Sequence, residues 1–431
     1  MPRPAYHPPV PPPSSIPDRI VEAVVPARLG RSFRWLLSAS LVNNIGDGIV
    51  LTAGPLLVAS QTRDPFLVSM ALLSGYLPAL LFGVIGGVAA DRFDRQRMVV
   101  VVDLARSIVL AVLVWTIVSG TVSIAVILAV LFLLGTAETF ADSASSTLLP
   151  GLVPREDLGI ANARMNGAFL LANQLLLPPV GAFLFVVGPA LPFAVNAAAF
   201  ALGAVMISRV VTDIRGARHD RPGVRTEMVE GFRWLLAHPP LRTLTLTILA
   251  FNVTYGAAWS VLVLYAGDRL GMNAVGFGLL TTAIAVGGVI GTVSYGRLER
   301  RFALGDIMRV GLIIETVTHL VLALTTSAVV ALGMLVIFGA HAFVWGTTST
   351  VVRQRAVPDE LMGRIGGVYR VAIIGGIVAG TPLGGLLAQR YGITAPFWFA
   401  FAGSALLVIV LWRQFHHIAH DDVPSGGPPE L

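Results

Sequence analysis

A carboxyl group in an apolar run can take up and release a proton, or meet a cationic group. Asp47 is the only acidic residue of Phe33–Val58, and Glu138 follows the small-residue stretch Gly135-Thr-Ala137. Asn43 and Asn44 stand one helical turn from Asp47 and can hold its carboxylate or contact a ligand. Glu315 and His319, also one turn apart, can hydrogen-bond and relay a proton. Amides and aromatics at helical spacing add recognition chemistry: Asn173 with Gln174, Asn252 with Tyr255 and Trp259, His341 with Trp345. Such groups can bind a flat organic molecule, although packing explains the same aromatics. A third set, Asp91, Arg92, Asp94, Arg95 and Arg97, crowds one short segment, and Asp103 and Arg106 follow at a spacing that puts them on one helix face, where they can pair.

The elements that position these residues are membrane spans. Of the 431 residues, 55% are hydrophobic and 13% charged, with mean hydropathy +0.78. Soluble domains carry roughly 25% charged residues, so a water-soluble enzyme is excluded. A span needs about 20 mostly apolar residues. Such runs include Phe66–Ala90, Thr243–Gly267, Leu270–Gly296, Val371–Gln389 and Tyr391–Trp412. Met165–Ser208 reads as a hairpin turning at Gly188-Pro-Ala-Leu-Pro192. The expectation is an all-α membrane protein of about twelve spans. The six alternate turns, at Arg63, Ser119, Gly188, Asp268-Arg269, Thr325 and Arg390, hold only three of the 30 basic residues, all of them Arg. Arginine accumulates in cytoplasmic loops, which puts both termini inside. Ionisable groups deep in such spans are costly and default to function, with Asp47 and Glu138 first; Asp142, nearer the surface, reads as structural.

The chain repeats itself. Gly87-Val-Ala-Ala-Asp-Arg-Phe-Asp-Arg-Gln-Arg97 is echoed by Gly291-Thr-Val-Ser-Tyr-Gly-Arg-Leu-Glu-Arg-Arg301, and Val153-Pro-Arg-Glu-Asp-Leu158 by Val357-Pro-Asp-Glu-Leu361, both about 204 positions on. Asp306-x-x-Arg309 repeats Asp103-x-x-Arg106, and Pro382-Leu-Gly-Gly385 repeats Pro179-Val-Gly-Ala182. An offset covering an even number of helices makes two parallel six-helix halves, an arrangement with a substrate site near the midplane between them. The expected organisation is a disordered Pro-rich tail over 1–30, an N-terminal half over 31–208, a cytoplasmic linker over 209–241, a C-terminal half over 242–413 and a disordered tail over 414–431. The linker contains an amphipathic stretch (Met228, Phe232, Leu235, Leu236) suited to the inner leaflet.

Over residues 33–412 these motifs resemble the major facilitator superfamily. Asp91-Arg-Phe-Asp-Arg-Gln-Arg97 is similar to its Gly-x-x-x-Asp-Arg-x-Gly-Arg-Arg signature between spans 2 and 3, with Asp94 in place of glycine and Gln96 in place of a basic residue. That form, with Asn44-x-x-Asp47 and the Val-Pro-x-Glu-Leu loop, resembles the branch of siderophore exporters and macrolide-efflux proteins. The resemblance implies alternating access by a monomer in the cytoplasmic membrane and the export of a small organic compound. Asp47 and Glu138 are then the proton-coupling candidates. Asn43, Asn44, Asn173, Gln174, Asn252, Tyr255, Trp259, His341 and Trp345 are the substrate candidates; span 10, which carries the last two, usually lines the cavity in that family, whereas span 9 is peripheral. Asp91, Arg92, Asp94, Arg95, Arg97, Asp103 and Arg106 are the cytoplasmic-gate candidates, among which Asp91 can cap the start of span 11 near Gly363-Arg-Ile-Gly366, where the helix dipole favours a carboxylate; a solvated loop is the alternative for 91–97, and structural support the favoured reading of Asp103 with Arg106. A nutrient importer of the same fold and a non-transporting sensor or scaffold are the competing readings.

Enzyme signatures are missing. There is no His-Glu-x-x-His, P-loop or Gly-x-Ser-x-Gly, and no cysteine for thiolate chemistry. The partners expected are a small molecule, protons and lipid, with no cofactor, metal or nucleic acid. Without an ATP site, transport must draw on an ion gradient or on the substrate's own gradient.

Overall fold

The structure, a computed structural model, describes residues 27–211 and 224–412; the Pro-rich leader, the C-terminal tail and part of the linker lie outside the described residues. Among the described residues every regular element is helical. The N-terminal half contains α1 (Gly30–Gln61), α2 (Pro65–Arg92), α3 (Arg95–Val118) and α4 (Ile124–Leu148). Its fifth span joins α5 (Leu158–Ala168), a π-helical turn (Phe169–Leu176) and α6 (Leu177–Val187); α7 (Leu191–Ser208) is the sixth. After the linker helix α8 (Val224–Ala237) come α9 (Pro239–Trp259), α10 (Leu262–Asp268), α11 (Ala274–Arg301), α12 (Leu304–Leu324), α13 (Ala328–Ala356), α14 (Met362–Tyr391) and α15 (Ala395–Leu411). Ten spans are long and apolar enough to cross a bilayer; an eleventh is the pair α9 and α10, bent by 42°, and the 17-residue α15 completes twelve.

The spans start where the sequence supplies caps. Asp64 accepts from the backbone N–H of Phe66 with Pro65 in the first turn of α2, Asp94 accepts from Arg97 N–H, and Ser123, Asn273 and Ser327 cap α4, α11 and α13. Asp94, a gate candidate from its charge, is thus spent on starting α3. Gln96 donates to the Ile207 and Val210 carbonyls at the end of α7, which explains an amide at that position of the motif.

Helix pairing repeats between halves. In the first, α1 packs on α7 and α6, α2 on α4, and α3 on α7; in the second, α9 packs on α15 and α14, α11 on α13, and α12 on α15. Close packing needs residues without side chains. A Cβ at Gly376, Gly380 or Gly384 of α14 would run into the α9 backbone at Leu249, Val253 or Ala257, and Gly287 and Gly291 of α11 meet α13 at Val336 and Ala340 in the same way. Outward faces stay apolar, as on α3, where Val101, Ile108, Val112 and Trp115 are exposed as a lipid-facing stripe. The linker helix shares its apolar face: Leu235 is buried against the C-terminal half, contrary to a wholly membrane-facing stretch, while Phe232 and Leu236 stay exposed.

The halves meet through α14 on α2 and α11 on α6. Their ties gather toward the face carrying the Arg63 and Asp268 turns, here the turn face. Arg63 pairs with Asp268 at 3.1 Å, and Gln389 donates to both carboxylate oxygens of Asp64 at 3.0 and 3.1 Å. Gly385 lies against Ser69 and Phe66, and Gly278 against Pro178, Pro179 and Ala182. At the opposite face, which carries the 91–97 loop, Arg28 pairs with Asp157, Arg355 with Glu299, and Arg364 of α14 with Glu230 of the linker helix.

Candidate functional site

Asp47 owes its setting to its neighbours in sequence. A Cβ on Gly46 would strike Asn196 and Ala199 of α7, and one on Gly48 would strike Ala172 and Asn173 of the π-helical turn. Two missing side chains therefore let α7 and span 5 close around the carboxyl, at mid-length of α1. The Asn196 amide faces it, and Arg106, Glu138 and Asp103 stand within Coulombic reach. No sequence pattern signals the π-helical turn. It precedes Pro178 and Pro179, and π-turns of this kind recur at functional sites. Carbonyls at its end find side chains: Thr52 donates to Pro178 O at 2.8 Å, and Thr282, from the other half, to Leu175 O at 3.3 Å.

Beyond Asp47 the polar groups of the two halves confront one another. Glu138 and Asp142 are on α4, Tyr76 is exposed on α2, and Arg370 is exposed on α14. Asp142 interacts electrostatically with Glu138 in its own half and with Arg370 across the gap. Tyr76 lies within reach of Glu138, and Tyr255 of α9 within reach of both Tyr76 and Glu315. Asp142 therefore faces a cation of the opposite half, beyond the structural part its position suggested. Tyr76 and Arg370 carried no signal in the sequence except that they are polar within apolar runs.

Several candidates serve internal bonds. Asn43 donates to Asp103 at 2.9 Å, Asn44 to Ser40 O of its own helix at 2.7 Å, and Asn252 to Ile248 O at 2.7 Å. Asn173 accepts from Gln174 at 2.7 Å within the π-turn. The expected direct Asp103–Arg106 pair is replaced: Asp103 turns to Asn43, and the Arg106 guanidinium lies 4.7 Å from the Phe200 ring centre. Both residues are buried, Asp103 against Asn43 of α1 and Arg106 against Phe200 of α7, a setting that suits the structural support their spacing suggested. Asp91 pairs with Arg95 of its own half at 3.9 Å; Arg92 and Arg97 belong to the same short segment.

In the C-terminal half, Tyr255, Trp259 and Phe338 stack in sequence, with ring centres 4.6 and 4.7 Å apart. Trp259 meets His319 edge-on, and Trp345 meets Phe251 in the same manner. His341, a substrate candidate, has Nε2 3.0 Å from Oε2 of Glu315 on α12.

Two parallel six-helix halves, tied at one face and presenting charged groups to each other between them, define a membrane transporter of the major facilitator fold. The chain belongs to the transmembrane secretion effector family, whose model matches residues 23–424. It is similar to the multidrug efflux pump Tap of Mycolicibacterium fortuitum, 30% identical over 379 residues covering 84% of this chain and 90% of that one. It is also similar to the enterobactin exporter EntS of Shigella boydii, 25% identical over 385 residues, 88% of this chain and 90% of the relative. Among solved structures, a bacterial homologue of the iron transporter ferroportin in its inward-facing state superposes with a TM-score of 0.74 at 19% identity, over 90% of this chain and 99% of that one. The nucleoside transporter NupG superposes at 0.67 with 14% identity, over 90% and 99%. The protein is a multi-pass transporter of the cytoplasmic membrane and takes a small-molecule substrate; it is not an enzyme.

Proposed function

We propose that this protein exports a small organic compound from the cytoplasm by alternating access, exchanging it for protons at Asp47 and Glu138. The observation that carries the reading is that Glu138 stands within Coulombic reach of both Asp47 and Asp142, and Asp142 of Arg370 from the other half, while the halves are tied at the turn face. The sparse arginines of that face make it the outside, so the conformation is inward-facing with both termini cytoplasmic. The relatives' efflux and export activities support the direction. Tyr255, Trp259, Asn173 and Gln174 supply flat and amide surfaces for the cargo, and a monomer suffices. The linker over 209–241 is cytoplasmic, and its helix α8 packs on α14 and α9 of the C-terminal half.

The test is flux in vesicles with an imposed pH gradient, using a panel of aromatic drugs and siderophores. Asp47→Asn and Glu138→Gln should each lower gradient-driven flux at least tenfold while downhill exchange persists. Unchanged driven flux in both variants removes the proton assignment.

The 91–97 loop acts as the inner gate in the opposite conformation, with Asp91 against the first turn of α14, where Gly363 and Gly366 leave the helix N-terminus open to a carboxylate. Neutralising it in Asp91→Asn should raise the inward-open population by about 2- to 5-fold, since a helix-terminus charge contributes roughly 0.3–1 kcal/mol. Labelling of a cysteine introduced at Gly367 reports this, because the native chain has none. An unchanged labelling rate contradicts the gate.

A further inference from the structure

Glu315 is the acid that the proposed cycle leaves unused. It sits 6% exposed at mid-length of α12, roughly 15 Å from either helix end at 1.5 Å per residue. His319, fully buried one turn on, directs Nε2 to Oε1 at 3.2 Å, and His341 of α13 directs Nε2 to Oε2 at 3.0 Å. Both carboxylate oxygens are thereby taken, one by each imidazole. The Nδ1 atoms of both histidines are buried and have no hydrogen-bond partner. Gly311 lets α12 pack closely on the His341 and Trp345 rings of α13: a Cβ there would stand 2.9 Å from His341 Nδ1.

The charge balance is what makes this cluster more than packing. Where both imidazoles are neutral and direct Nε2–H at an ionised Glu315, the cluster carries one net negative charge among buried side chains. Among the described residues, the remaining titratable group in reach is Tyr255 of α9, which supplies no cation. The α15 helix, packed on α12, has no titratable residue, and the arginines and glutamate of α11 and the arginines of α13 lie near the loop-face ends of their helices. An isolated buried charge is expensive, and one more proton cancels it. A cationic substrate cannot do so, because the carboxylate is sealed behind the two rings. A proton can, by binding Nδ1 of one imidazole and leaving an imidazolium paired with the carboxylate.

We propose that Glu315, His319 and His341 form a second proton-binding site, in the C-terminal half, that takes one proton from water during the transport cycle. The proposal deepens the antiport reading and rests on it for its place in the cycle. Tyr255 stands within Coulombic reach of both Glu315 and Tyr76, and Tyr76 of Glu138, so the acids of the two halves lie on either side of this tyrosine pair.

The experiment is a 15N NMR titration of the full chain in lipid nanodiscs with labelled histidine, the two signals assigned by loss in His319→Asn and His341→Asn. One of the two imidazoles should change charge once between about pH 5 and pH 9, the range histidine commands. Glu315→Gln should lower that proton affinity at least tenfold. If both imidazoles keep one form throughout, the cluster is a fixed brace between α12 and α13 and the proposal is overturned. It is overturned equally if Glu315→Gln titrates like wild type. Should that variant fail to fold, the wild-type curve alone decides. A titrating imidazole alongside proton-independent flux in the vesicle assay would sink antiport at Asp47 and Glu138 while leaving this site standing.

Discussion

Gly385→Val should slow transport at least severalfold by hindering closure of the turn face. The glycine sits on α14 at the contact with α2, where even a Cβ would lie 2.8 Å from the Phe66 Cα and overlap the Ser69 side chain. The Phe66 atom is backbone at the capped start of a helix and has no rotamer to yield. Overpacking of this sort costs about 1–3 kcal/mol. Here the cost falls on only one of the two conformations, since the atoms crowded belong to the opposite half. Each half keeps its fold while the equilibrium moves toward outward-open by about 5- to 150-fold, because roughly 1.4 kcal/mol is a factor of ten. The cysteine at position 367 should then label correspondingly more slowly from the cytoplasmic side. Arg63→Ala makes the contrast. It removes the exposed pair with Asp268, which contributes at most about 1 kcal/mol, so transport should change little. Equal effects from the two variants would mean that the latch is electrostatic and not steric.

The sequence carries the scaffold more fully than the site, for a physical reason. Span number and duplication are written in long-range averages: an apolar run is visible at any register, and a constant offset survives the divergence of most residues between the copies. The pairing of α2 with α4 and its counterpart α11 with α13 follows from that duplication. Site geometry is written in single neighbours on different helices. Glu315 and His319 announce themselves at i,i+4, but His341, which occupies the second carboxylate oxygen, is 26 positions away on another span. Asp103 and Arg106 misled for the converse reason. Their spacing permits a pair on one helix, yet α1 offers Asn43 to the acid and α7 offers the Phe200 ring to the cation. The Gly46-Asp47-Gly48 triplet is the exception. Small residues flanking a buried acid mark a place where neighbouring helices approach it, and α7 and the π-turn do so.

Arg106 carries the largest stability effect in the N-terminal half. It is 6% exposed and stands within Coulombic reach of Asp47, Asp103 and Asp142. The buried Asp103 is tolerated in a low-dielectric interior because a guanidinium lies nearby, its face against Phe200, and the half-buried Asp47 gains from the same charge. Arg106→Gln removes the charge and leaves the acids uncompensated, so it should destabilise the folded protein by about 3–5 kcal/mol, as breaking a buried pair does. Thermal unfolding in detergent measures the loss. Arg106→Lys keeps the charge but not the flat, weakly hydrated group that stacks on the ring, and should fall between the two. The decisive variant combines Arg106→Gln with Asp103→Asn. Asparagine retains a carbonyl oxygen to accept from Asn43 while deleting one negative charge, so the double variant should recover part of the lost stability. If Asp103→Asn makes Arg106→Gln worse, Arg106 acts through its contact with Phe200 and not through charge, and the acids of α1 and α4 hold their state by other means.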